Sequence, residues 1–106
     1  MAAAPIRILL FEDNWEDARI LQELLAEQSD MPVELTHVDS LAAGLVRLTD
    51  QPDSIDLVLL DLNLPDSHGM DTLDRVATLA PRLPIVILTS QDNEQFVVQA
   101  LKRNAQ

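Results

Sequence analysis

The sequence predicts an α/β fold, a doubly wound parallel sheet with helices on both faces. Three observations predict it. Four short apolar runs recur along the chain: Ile6–Phe11, Val33–Val38, residues 55–60 and Ile85–Leu88. Between them, apolar residues recur at helical spacing rather than alternating. Strands that alternate with amphipathic helices require right-handed crossovers, which lay helices on both faces of parallel strands. At 106 residues the chain holds one domain.

The first strand, IRILLF, is almost wholly apolar and is expected to be buried on both faces. Asn14 caps the next helix, with Glu16 and Asp17 in its first turn, where negative charge favours the helix dipole. Ala18, Leu21, Leu24 and Leu25 form its stripe, which runs to about Gln28. VELTHV alternates, so the second strand has a more solvated face. Ser40 caps a second helix marked by Leu41, Leu45 and Leu48. IDLVLL, residues 55–60, is the third strand, and residues 61–69 are a loop. Met70, Leu73, Ala77 and Ala80 mark a third helix stopped by Pro81. IVIL is the fourth strand, and Asp92 or Asn93 caps a fourth helix carrying Phe96, Val97, Ala100 and Leu101.

In open parallel sheets the working crevice lies beyond the carboxyl ends of the strands, where the strand order reverses. Glu12 and Asp13 follow the first strand, Asp61 the third, and Thr89 and Ser90 the fourth. In the order 2-1-3-4, strands one and three are neighbours, and three carboxylates converge. Carboxylates packed together repel one another, which perturbs their protonation or calls for a cation. Their oxygens suit Mg²⁺ or Mn²⁺, hard ions that keep several waters. A hard cation beside a carboxylate suits phosphoryl transfer, with the carboxylate as nucleophile and Thr89 as a hydroxyl donor.

Composition narrows the field. Asp and Glu number 18 against 7 Lys and Arg, a formal net charge of -11. A polyanion needs basic residues to release its counterions, so nucleic-acid binding by this domain is not expected, nor is binding to an anionic membrane. There is no cysteine, which excludes disulfides, zinc thiolates and cysteine catalysis. No apolar run approaches the roughly 20 residues a membrane helix needs, and no signal peptide is seen. The cytoplasm is the expected compartment.

Several residues have plainer readings. Glu12 and Asp13 alone would be read as charge at a helix N-terminus, Asp61 as a loop aspartate, and Thr89 and Ser90 as caps. His37 and His68 are read as solvated histidines, and Trp15 as packing or lying across the surface beside the acidic pair. Residues 61–69 are not a calcium loop, because Pro65 and Asp66 break the spacing and no glutamate closes it. A haloacid-dehalogenase-type phosphatase would need a second aspartate at position 63, where Asn63 stands.

Taken together, LLFEDN with its Glu12-Asp13 pair, the run Asp61-Leu62-Asn63-Leu64-Pro65 leading to Gly69, and Leu88-Thr89-Ser90 resemble the receiver domain of two-component response regulators. That family has the chemotaxis-Y-like, flavodoxin-like fold. The resemblance runs from Ile6 to Gln106. It implies that Asp61 is the aspartate phosphorylated by a histidine kinase or phosphotransfer protein. Glu12, Asp13 and Asp61, with the backbone carbonyl of Asn63, are implied as the Mg²⁺ ligands, and Mn²⁺ is a substitute. Thr89 is implied as the switch hydroxyl. Asn63 and Gln91 occupy positions that tune dephosphorylation, and Pro65 and Gly69 shape the loop.

The sequence departs from the family in several places. The family's lysine, at the end of a fifth strand, has no counterpart here, since the one lysine, Lys102, sits in the fourth helix. The fifth strand, its aromatic residue and the fifth helix are missing, and Asn104 stands where glycine is usual. The expectation is therefore a receiver domain over residues 1–106, incomplete at its C-terminus. Either the natural chain continues past Gln106, or another chain covers the fourth strand's edge by dimerisation or strand exchange. The expected function is phosphoacceptance on Asp61 that switches an output domain or downstream protein, without turnover of a substrate. The alternative is a receiver-like interaction module that phosphorylation does not regulate.

Overall fold

The computed structural model describes residues 4–27 and 32–88. Its elements run β1 (Ile6–Phe11), α1 (Trp15–Ala26), β2 (Val33–Val38), α2 (Leu41–Asp50), a 3₁₀ turn (Pro52–Ser54), β3 (Leu57–Asp61), β4 (Asn63–Leu64), β5 (Ser67–His68), α3 (Met70–Leu79) and β6 (Ile85–Leu88). The main sheet has the order β2-β1-β3-β6, every pair parallel. This is the expected 2-1-3-4 arrangement, with β6 as the fourth strand. The expected fourth helix, with Thr89, Ser90, Gln91, Lys102 and Asn104, lies outside the described residues.

Alternation along the buried strands divides the core in two. Leu9, Phe11, Val58 and Leu60 pack with Leu41 and Leu48 of α2 and Leu73 and Val76 of α3. Ile8, Leu10 and Leu59 face the other way and pack with Ala18 of α1. Side chains on a strand point alternately to its two faces, so a strand covered on both sides must be apolar throughout. That is why IRILLF carries no alternation. β2, at the edge, is only partly buried.

The helix boundaries follow their caps. Asn14 accepts the Glu16 and Asp17 N–H groups, and Ser40 accepts that of Ala43. α2 lies so close to β1 that a Cβ at Gly44 would overlap the Phe11 ring. α3 ends at Leu79 with Ala80 as its cap, one residue before Pro81.

Two expectations are corrected. β3 runs from Leu57 to Asp61 rather than over residues 55–60. Asp56 instead reaches β1: its N–H donates to the Arg7 carbonyl, and its carboxylate accepts from the Arg7 guanidinium at 2.9 Å. The far end extends because Asp61 pairs with Leu88. Residues 61–69 are more than a loop, since β4 and β5 form a small antiparallel hairpin within them. Two-residue strands leave no periodicity to read. No helix among the described residues is long and apolar enough to cross a membrane.

Candidate functional site

Register sets the site. β1 and β3 pair Phe11 with Leu60, and β1 and β2 pair Phe11 with Val38. The next row therefore brings Glu12 beside Asp61, roughly one strand spacing of about 4.8 Å away. Glu12 keeps the parity of Leu10 and Asp61 that of Leu59, so both carboxylates project on the α1 side. They line one groove of about 370 Å³ with Asp17, Ile20, Leu21, Leu24 and Leu88.

Asp13 adds the third acid. Glu12, Asp13 and Asp61 each offer a carboxylate oxygen, and these oxygens all lie within 4.8 Å of one another. Asp13 is exposed, whereas Glu12 and Asp61 are partly buried. Burial, and then the neighbouring Asp61, push the Glu12 carboxyl up to about 7, against an opposing hydrogen bond from the Asn14 N–H. The fold thus holds mutually repelling oxygens together, an arrangement that a divalent cation relieves. All the donors are hard oxygens and the groove is open to water, which fits Mg²⁺.

Asp61 is oriented by its own loop. Its Oδ1 accepts the Asn63 N–H at 2.9 Å, so the aspartate and the start of β4 are locked together. Asn63 is exposed and pairs with His68 across the hairpin. Pro65 stands at the hairpin tip, and Gly69 precedes α3 with φ 66 and ψ -147. That backbone region is essentially closed to side-chain-bearing residues. Beneath the hairpin, the Thr72 hydroxyl donates to the Leu62 carbonyl at 3.0 Å and lies 2.7 Å from the Ser67 hydroxyl. Both hydroxyls are buried and each is satisfied.

The structure also brings in residues that sequence reasoning set aside. His37 is partly buried rather than solvated; its Nε2 lies 2.6 Å from the Glu12 carbonyl oxygen. Trp15 is 65% exposed and meets the His37 ring edge-on, centroids 4.5 Å apart, so it lies across the surface beside the acids. His68, on β5, is exposed as expected. Asp66, weighed only as a break in a calcium spacing, binds the start of α2 through both carboxylate oxygens. Local patterns gave no hint of these contacts, because their partners lie 22 to 25 residues away.

A family model, the response regulator receiver domain, matches residues 8–106. Over 101 residues the chain is 35% identical to the response regulator Rcp1 of Synechocystis, covering 89% of this chain and 68% of that protein. It is 33% identical over 103 residues to the nitrate/nitrite response regulator protein NarL of Escherichia coli K12, covering 95% of this chain and 45% of that one. Among solved structures, the phosphorylated cyanobacterial phytochrome response regulator RcpA superposes with a TM-score of 0.74 at 33% identity, covering 93% of this chain and 75% of that one. The chain thus spans less than half of NarL and about two thirds of Rcp1.

Proposed function

Because the chain belongs to the response regulator receiver domain family of two-component systems, we propose that it accepts a phosphoryl group on Asp61 from a histidine kinase or phosphotransfer protein. The observation that carries the reading is the convergence of Glu12, Asp13 and Asp61, their oxygens within 4.8 Å, at the carboxyl ends of β1 and β3. Glu12, Asp13 and Asp61, with the backbone carbonyl of Asn63, would hold Mg²⁺. The chemistry such an ion would supply is neutralisation of charge on the phosphoryl oxygens.

The chain's own residues do the rest. A carboxylate oxygen of Asp61 forms the new O–P bond as the P–N bond of the phosphohistidine breaks, and the imidazole nitrogen keeps the electron pair. The Asn63 N–H holds the Asp61 carboxylate in place during attack. Thr89 and Gln91, which follow Leu88 in the sequence, are proposed as the switch hydroxyl and a tuning residue. Asn63, besides its carbonyl, is proposed to tune hydrolysis of the acyl phosphate. Pro65 and Gly69 give the loop its shape. The phosphorylated state then biases the surface read by an output domain or downstream protein, in the cytoplasm. The domain assists its own phosphorylation and hydrolysis without turning over a separate substrate.

The test is Mg²⁺-dependent labelling by a small phosphodonor such as acetyl phosphate. Asp61→Asn is expected to abolish it, and retained labelling in that variant overturns the assignment. A second reading, an interaction module indifferent to phosphorylation, is favoured by one observation. Trp15, Ile20 and Leu24 leave α1 with an exposed apolar surface. Partner binding with equal affinity by the wild type and Asp61→Asn, in the presence of a phosphodonor, would decide for it.

A further inference from the structure

The hairpin after Asp61 is fastened to a helix that precedes it in the chain. β4 and β5 pair Asn63 with His68 and Leu64 with Ser67, which leaves Pro65 and Asp66 as an exposed tip. A two-residue hairpin is too short to hold its own geometry in water. Asp66 supplies the missing anchor. Its Oδ1 accepts the Leu41 N–H at 2.8 Å and its Oδ2 the Ala42 N–H at 2.9 Å. These are the first two amides of α2, which have no acceptor inside the helix. Ser40 already caps α2 locally, its Oγ accepting the Ala43 N–H at 3.2 Å. Asp66 thus ties the hairpin tip to the start of α2, and the α2 amides hold its carboxyl below the usual range.

The other end of the hairpin is fixed too. The Gly69 N–H donates to the Leu62 carbonyl at 2.9 Å, and the Thr72 hydroxyl donates to the same oxygen. Between these anchors lies Asn63, whose N–H is already bound to Asp61. The tip and the Asn63 peptide are thus only two residues apart on one short segment, so a shift of the tip is felt at Asn63.

We propose that Asp66 is a positioning residue of the phosphorylation site, clamping the hairpin tip to α2 so that the Asn63 carbonyl is held ready for the metal. This rests on the functional reading above and adds a residue to it. Asp66 touches neither the ion nor the phosphoryl group. It acts through Asn63, as groups behind a ligand set that ligand's orientation.

The experiment compares Mg²⁺ affinity, by calorimetry and by Trp15 fluorescence, in the full chain and its variants. Asp66→Ala is expected to weaken Mg²⁺ binding about tenfold, the low end of the effect of removing groups behind a ligand. Asp66→Asn keeps one carbonyl acceptor and should fall between Asp66→Ala and the wild type. Ser40→Ala loosens the same helix without touching the hairpin, and should leave the affinity within about twofold, as expected if only the clamp matters. Unchanged affinity in Asp66→Ala overturns the proposal, and so does an equal loss in Ser40→Ala. If Asp66→Ala does not fold, Asp66→Asn decides by the same criterion. A wild type that binds no Mg²⁺ overturns the metal-site reading and the clamp with it. A wild type that binds, with Asp66 variants that bind equally well, overturns the clamp alone.

Discussion

Glu12 carries two opposed conditions. Its backbone carbonyl accepts from His37 Nε2, while burial, and then the neighbouring Asp61, push its carboxyl up to about 7. Asp56 shows the reverse case. The Arg7 guanidinium and backbone N–H hold its carboxyl down to about 2, from an ordinary 3.8. A lowered carboxylate contributes stability that is fully present above the unfolded value. That contribution is lost as pH falls through the folded one, because the unfolded chain then binds more protons. The Arg7–Asp56 contribution should therefore be whole above pH 3.8 and fade toward pH 2. Comparing urea midpoints of the wild type and Asp56→Asn across the acid range checks this. The two should converge at the acid end and separate above it. Gly69 gives a second test at this scale. Its φ of 66 with ψ -147 is open to glycine alone, although a Cβ there would meet nothing. Gly69→Ala should cost about 1–3 kcal/mol from backbone strain alone, measured by urea unfolding. The acids Glu12, Asp13 and Asp61 were legible in the sequence because they stand at the ends of apolar runs. Asp66 and His37 were not, because their partners are remote in sequence and neither residue type announces a contact.

Among the described elements, α2 is closely fitted. It is capped locally by Ser40, held at its first amides by Asp66, and laid against β1 where Gly44 meets the Phe11 ring. Gly44→Ala should overpack this contact and cost about 1–3 kcal/mol, even though alanine is the better helix former. Thermal and urea unfolding of that variant measure it, and a gain in stability would show that the helix can shift away. Strand and helix identity was legible from periodicity and caps, down to Asn14 and Ser40. The limits of β3 were not, because Ile55 is as apolar as the strand itself, yet Asp56 is drawn off to Arg7. The β4–β5 hairpin was hidden for a different reason: its order comes from the buried Ser67–Thr72 hydroxyls and the Asp66 clamp, not from any strand pattern.

At the scale of the whole molecule, the formal charge of -11 and the three converging acids act in the same direction. Self-repulsion opposes compaction, and diffuse salt relieves it only by screening. A specific ion should do more. At 100 times its dissociation constant, Mg²⁺ should add about 2.7 kcal/mol of stability through binding the native state alone. Melting curves in MgCl₂ and in NaCl at equal ionic strength separate the two effects; equal shifts would mean screening only. The parallel order of the sheet was legible because alternating strands and helices leave few topologies, and that order alone placed β1 beside β3.

The paired rows of the sheet also govern which changes of length the gene can tolerate. Val38, Phe11 and Leu60 share a row, and Glu12 and Asp61 stand in the next. Deleting one codon inside β3 would leave an apolar strand of almost the same character. It would nevertheless turn every following side chain to the opposite face, moving Asp61 away from Glu12 and toward α2 and α3. A codon added in the exposed turn at Pro52–Ser54 leaves the parity of β3 untouched. Insertions and deletions should therefore gather in that turn and be purged from the strand, although both stretches lie only a few residues apart.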